Sequence, residues 1–441
     1  MSRVGTRRQW LRSTSSALAL LGIGATRAAT PGVAIPGAAD RDARSKVIGT
    51  LREVPLRDVQ RVDAAENDGW WVRDGAGRLW FVASNGVTEP AAHGVAPTGV
   101  LATGHGRVAG RGLDGRLWVH GTTRPTTAPG RSEVPLALHG GLCALPLAII
   151  AVVEHAGSHV LARFEADARG QWKVVARSRE PVLPDAVPVA VELDGRHGGA
   201  HIAVLAGPDA KRYPHAVLGD DIEATRVLWL ERHSLETLRS LHLDDPAVFE
   251  DRQLRPWSLP DGRTGLVTVQ SGPSGAQLVV VAASPNEPSK LERAAAAPAI
   301  GTRNRWLSPA SVALDGGEIW AVHTPHIGGV LHRYRAKGPA LVSERMATGL
   351  SNHRLGKRDL DISARVGRWL LLPTQDWLGL AAFDTTTASL AESIEMDAPI
   401  LQCVSTQDRG SAILLTEFGL SIWSPSGRPQ GTRVGPVPTL R

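Results

Sequence analysis

The chain has 441 residues, 42% of them hydrophobic and 21% charged, a formal charge of +6 and two cysteines. Five arginines fall within the first 29 residues, which hold no acidic side chain, so the remainder carries only +1. That balance excludes a nucleic-acid binder working through a basic face, and two cysteines exclude a disulfide-built scaffold.

The N-terminus reads Thr6-Arg7-Arg8-Gln9-Trp10-Leu11-Arg12, the twin-arginine export pattern, with Arg7 and Arg8 as its paired cations. The apolar stretch Ala17 to Ala25 is far below the roughly 18–20 residues needed to span a bilayer. Small residues at Thr26, Ala28 and Ala29 suit cleavage. The expected organisation is a signal over 1–29, a Pro/Gly/Ala-rich linker over 30–48, one domain over 49–430 and a tail over 431–441. The expected product is periplasmic or secreted, delivered by the twin-arginine machinery, with no transmembrane segment once the signal is removed.

Beyond the linker, short alternating segments recur. Trp70-Trp71-Val72 and Leu79-Trp80-Phe81 flank Asp74-Gly75-Ala76-Gly77, and Val108 and Leu117-Trp118-Val119 flank Asp114-Gly115. Further units surround Leu145, Val152 and Leu161, then Leu205, Trp229 and Leu241, then Trp257, Leu266 and Val279. The clearest unit has strands at 308–314, 318–323, 330–335 and 341–347, followed by units over 360–394 and 400–423. Asp-Gly and Gly-Gly turns between alternating runs are strong hairpin signals.

The third-strand anchors of these units are Trp80, Trp118, Phe164, Trp229, Val280, Tyr334, Phe383 and Trp423, spaced from 38 to 65 residues apart. No run of helical period competes. Repetition near 50 residues selects an all-β propeller of four-stranded blades, eight by this count with seven possible. Cys143 and Cys403 fall in innermost strands of distant units, too far apart for a bridge, which needs Cα atoms within about 7 Å.

In such a blade the 2–3 loops and the blade-to-blade connections share one face. Those connections carry the candidate ligand-binding residues. Tyr213, His215, Asp220 and Asp221 lie on the long loop of the fourth unit, and His326, Asp376 and Trp377 on those of the sixth and seventh. Arg303, Trp306, Asn352 and His353 lie on the neighbouring inter-blade connections. Loops on a rigid scaffold are where binding residues concentrate.

Three segments carry a resemblance: Ile300-Gly301-Thr302-Arg303-Asn304-Arg305-Trp306-Leu307, Thr324-Pro325-His326-Ile327-Gly328-Gly329-Val330-Leu331 and Ser351-Asn352-His353. With Tyr213-Pro214-His215-Ala216-Val217-Leu218-Gly219-Asp220, they resemble exported bacterial FG-GAP/VCBS-type repeat proteins over roughly residues 185–425. The resemblance implies an integrin-α-like propeller, often with calcium in Asp-x-Asp-Gly-Asp loops, and no known reaction. Here the equivalent loops read Asp194-Gly195-Arg196, Asp261-Gly262-Arg263, Asp315-Gly316-Gly317 and Val366-Gly367-Arg368. Calcium takes about six to eight oxygen ligands, so these loops are expected to be plain turns without calcium, and no cofactor is predicted.

His323, His326, His332 and His353 are close in sequence, but a transition-metal site needs three or four converging ligands, and metal binding is left open. No Gly-x-Ser-x-Gly elbow appears. The expectation is therefore a non-catalytic binding protein for an unknown protein, polysaccharide or small molecule, with no nucleic-acid partner. Trp306 and Trp377 are expected to be exposed stacking platforms. The alternative is a propeller enzyme, a hydrolase or a quinoprotein-like oxidoreductase, because Trp369 to Asp384 has the look of a quinoprotein blade. Replacing Arg7 and Arg8 together with lysine should leave an uncleaved precursor in the cytoplasm. Fractionation and immunoblotting check this, and mature protein still exported would disprove the export assignment.

Overall fold

The computed structural model describes residues 48–426 apart from 67, 123–128, 192–200, 288 and 314–315. The expected signal, the C-terminal tail and the turns at Asp194 and Asp315 therefore lie outside the described residues. Within them, regular structure is all β-strand, and no helix is long and apolar enough to cross a membrane.

The strands group, in chain order, into eight antiparallel units at residues 59–93, 102–135, 142–177, 189–242, 255–296, 307–348, 364–395 and 400–425. We number them blades 1 to 8. Blade 8 contributes three strands of its own, and its outermost strand is Gly49–Val54, from the other end of the chain. That strand pairs antiparallel with Leu420–Pro425 in an unbroken register from Gly49↔Pro425 to Val54↔Leu420. Gly49 permits the pairing, since a Cβ there would sit 2.3 Å from the Trp423 indole.

The innermost strands of successive blades lie side by side around an axis. Thr103 Oγ1 donates to Ala64 O (3.2 Å), Ser363 Oγ donates to Ala310 O (2.9 Å), and Ile362 forms a parallel bridge with Cys403. Between blades 8 and 1, the Val62 amide donates to Gln402 Oε1 (2.9 Å) and the Trp70 indole donates to Val404 O (2.9 Å). The ring closes, and its count is eight.

All eight sequence anchors sit on third strands, and all but the half-buried Trp80 are buried. The hydrophobic core lies between blades. Trp369 and Trp423 pack blade 7 on blade 8, Trp70 packs with Ile413 and Ile422 between blades 8 and 1, and Trp320 meets Phe383 at 5.4 Å between blades 6 and 7. Each indole buries a large apolar area while its flat shape fills the wedge between two twisted sheets. Blades 1 to 7 shift register between their third and fourth strands, a bulge that adds local twist. The closing pair of blade 8 has no shift.

Both cysteines are free, as expected, on innermost strands of blades 3 and 8. Burial pushes the Cys403 thiol up to about 12 and Cys143 up to about 11. The Asp261 turn holds its carboxylate against Arg263 at 2.8 Å, the geometry of a closed turn.

Gly49→Val should overpack the closing pair against Trp423 and destabilise the ring by about 1–3 kcal/mol. Urea unfolding monitored by tryptophan fluorescence checks this, and an unchanged midpoint would remove the closing strand from the account of stability.

Candidate functional site

The 2–3 loops and inter-blade connections form one face, and the longest of them meet over the axis. The connection from blade 6 to blade 7, residues 349–363, is a strap across the mouth of the ring. It starts where Gly329 lets the chains touch, since a Cβ there would lie 1.7 Å from Leu350 O. Ser351 Oγ donates to Pro325 O (2.9 Å), Arg354 Nη2 donates to Ile400 O (2.9 Å), and the Gly356 amide donates to Val217 O (2.9 Å) of the blade 4 loop.

Ion pairs fix the far part of the strap. Arg358 reaches Asp220 on the blade 4 loop and Asp185 (3.3 Å) before blade 4, while Arg252 Nη1 donates to Arg358 O (2.9 Å). The next residues turn to blade 1, where Arg61 pairs with Asp359 (2.5 Å), Asp361 (2.8 Å) and Asp63 (3.5 Å). Arg73, fully buried, takes the other Asp63 oxygen (2.8 Å). Burial alone would lower the Arg61 pKa, but Asp63, Asp361 and Asp359 outweigh it and hold the guanidinium above its ordinary range. Burial raises Asp361, with Arg61 opposing it.

Beside the strap lies an aromatic and histidine cluster. Trp306 is 3% exposed, its ring stacked on His326 (6.0 Å) and edge-on to His353 (4.7 Å), its indole donating to Glu250 O (3.1 Å). His353 Nε2 donates to Lys357 O (2.7 Å), which leaves Nδ1 to accept from His326 Nε2 (2.9 Å). His353 is therefore neutral in this arrangement. Burial pushes each of the two rings down to about 4, with neighbouring His215 adding to the shift of His326 and His326 to that of His353. On blade 6, His323 stacks on His332 at 3.7 Å and meets Tyr334 Oη at 2.5 Å; burial and His332 push it down to about 3.

A carboxylate group sits behind the cluster. The short strand Val248–Phe249 bridges Ala224 of blade 4 and Gln270 of blade 5 and so places Glu250, Asp251 and Arg252. Glu250 is fully buried and holds His215 Nδ1 through one oxygen and Ser271 Oγ (2.5 Å) through the other. An imidazole oriented by a buried carboxylate can serve as a base. Ser271, however, donates to the carboxylate and not to the imidazole, so the nucleophile–base contact of a hydrolytic triad is missing here. Burial, then Glu250, Asp185, Asp220 and Asp251, holds Glu223 well above the usual carboxylate range. No group of three or more His, Cys, Asp or Glu side chains able to hold a metal occurs among the described residues.

The structure brings together Tyr213, His215, Asp220, Arg303, Trp306, His326 and His353 in one sector, but mostly as framework. Tyr213 is fully buried, accepts from the Asn304 amide (2.7 Å) and lies under Arg303 at 4.6 Å. Asn352 is fully buried and donates to Pro309 O (3.1 Å). Trp306 corrects the expectation of an exposed platform, because its face is covered by histidine. Trp377 is corrected in part: it is half-buried and the Arg354 guanidinium covers its ring at 4.7 Å. Asp220 pairs with Arg358, and Arg212 turns to Asp209 (3.5 Å). Asp221 is exposed, and Asp376 closes its turn by accepting from Thr374 Oγ1 (2.6 Å). Sequence reasoning missed Arg61, Asp185, Glu250, Arg252, Arg358 and Asp361. The run Glu250-Asp251-Arg252 directly after apolar Val248-Phe249 was the one local signal for them.

With this geometry, the chain is an eight-bladed β-propeller. No protein-family model and no curated protein sequence matches it. Among solved structures it is similar to the Dos1 propeller, with a TM-score of 0.51 and 9% identity over 86% of this chain and 94% of that one. It is also similar to BamB from Moraxella catarrhalis (TM-score 0.49, 11% identity, 85% of this chain and 100% of that one). Apo AztD from Citrobacter koseri aligns with a TM-score of 0.48 and 11% identity over 83% and 90%. At 9% identity the Dos1 likeness establishes the fold alone.

His326 and His353 give the cluster a pH signature. As pH falls from about 6.5 to 4, the unfolded chain takes up protons that the folded rings refuse, so stability falls through that window. Melting temperatures across pH 4–8 should show this drop, and His326→Asn with His353→Asn should make it shallower, with His323, pushed lower still, supplying part of what remains. An identical pH profile in the double variant would show that these rings do not titrate with folding.

Proposed function

We propose that this protein is an exported, FG-GAP/VCBS-like propeller that acts by recognition, docking a protein partner on the face that carries the strap. The observation that carries this reading is the distribution of exposed apolar residues. Of the twelve large hydrophobics exposed among the described residues, Leu113, Leu138, Ile327, Leu355, Leu378 and Phe418 lie on 2–3 loops or inter-blade connections, and only Val87 and Leu147 on the opposite turns. Apolar tips on a plate fixed by ion pairs offer preformed anchors at little ordering cost. The histidines and carboxylates beneath hold that plate in shape. The twin-arginine pattern of Arg7 and Arg8 supports binding outside the cytoplasm, in the periplasm or after secretion.

A photo-crosslinking residue placed in turn at Ile327, Leu378 and Phe418 should trap one discrete partner in the native host. The same residue at Val87 and Leu147 should not. Equal trapping from both faces, or none from the strap face, would overturn the proposal.

A further inference from the structure

Beneath the strap the axis holds a well of about 280 Å³. The strap seals the end where the innermost strands begin, near Arg255 and Asp361. Ala64, Ser311 and Ser405, which also line the well, stand at the ends of their strands, so among the described residues it opens on the opposite face. Its lining is more polar than apolar, and its polar groups are only partly committed to the protein. Asp361 gives Oδ2 to Arg61 (2.8 Å), yet its side chain remains 44% accessible although protein surrounds it. That accessible surface belongs to the well.

Among the described residues, no donor reaches Asp361 Oδ1, and the Gln253 side-chain amide and the Ser311 and Ser405 hydroxyls have no hydrogen-bonding partner, the Gln253 backbone amide being taken by Asp251 Oδ1 (3.3 Å). Ser363 donates to Ala310 O (2.9 Å) and retains its lone pairs. The two charges at the lining are each ion-paired, Asp361 with Arg61, which Asp359 and Asp63 share, and Arg255 with Asp251 (2.7 Å). A charged ligand would upset that pairing and lose its own hydration. A neutral one with donors and acceptors on every side would satisfy the open carboxylate oxygen, amide and hydroxyls together. Pro309, Val312 and Val404 supply an apolar patch for a C–H face.

We propose that the axial well binds a single neutral polyhydroxy molecule of monosaccharide size. The volume sits just below the range of about 300–1,000 Å³ of drug-sized ligand sites, which suits one ring and not a chain. This site is separate from the docking face, and either can fail without the other.

The test is isothermal titration and thermal shift of the full mature chain with D-glucose, D-galactose and myo-inositol, with D-glucuronate and putrescine as charged counterparts. At least one neutral compound should bind and raise the melting temperature with concentration. Gln253→Leu and Ser405→Leu, which leave the ion pairs untouched, should each weaken it about tenfold through lost hydrogen bonds, without changing the unliganded melting temperature. Three results would overturn the proposal: no neutral compound binding up to about 10 mM, a charged compound binding more tightly, or both variants binding as the wild type does. If one variant fails to fold, the other and Ser311→Ala carry the same comparison.

Discussion

Everything in this molecule depends on a six-residue strand pairing between residues more than 360 positions apart in the chain. Gly49–Val54 completes blade 8, and blade 8 holds blade 1 through Gln402, Val404 and the indole of Trp70. A propeller has no axial core to hold it together, because its apolar side chains lie in wedges between neighbouring sheets. Opening one wedge exposes two sheet faces at once. The closing pair is also the one outer pair without a bulge. An unbroken antiparallel ladder gives the join its full set of hydrogen bonds, where the other blades trade regularity for twist.

With the ring closed, the axis becomes an electrostatic problem. Inner strands cannot pack against each other across it, so the space is filled by polar side chains and by the strap. Arg61, Arg252 and Arg358 meet Asp63, Asp185, Asp220, Asp359 and Asp361 over this region. Buried ion pairs give little net stability, but removing one member leaves the other uncompensated. Their value here is positional: a strap of irregular backbone is held in one conformation across four blades.

Much of the fold was legible in sequence because a propeller repeats. Trp80, Trp118, Trp229 and Trp423 mark third strands, and Asp-Gly turns mark the tight loops, through purely local physics. The closing strand was not legible. Gly-Thr-Leu-Arg-Glu-Val has weak alternation, and its strand character comes from a partner at the far end of the chain. The candidate loops were placed on the correct face by topology, yet exposure could not be read from them. Trp306 and Tyr213 look like surface aromatics in a loop sequence, and they are covered only because four distant connections converge there. The ion network was invisible for the same reason, since Arg61 and Asp359 are partners only once the ring has closed.

The strap also settles what kind of passage the axis can be. A ring of eight blades encloses enough space for a conduit from one side to the other, but residues 349–363 cross one end and are tied down on blades 1 and 4. Among the described residues the axis is therefore a cup. Whatever enters must leave by the same door, so occupancy of the cup and events on the sealed side can communicate only through the floor between them, where Asp361 faces inward and Arg358, three residues earlier, grips the outer loops.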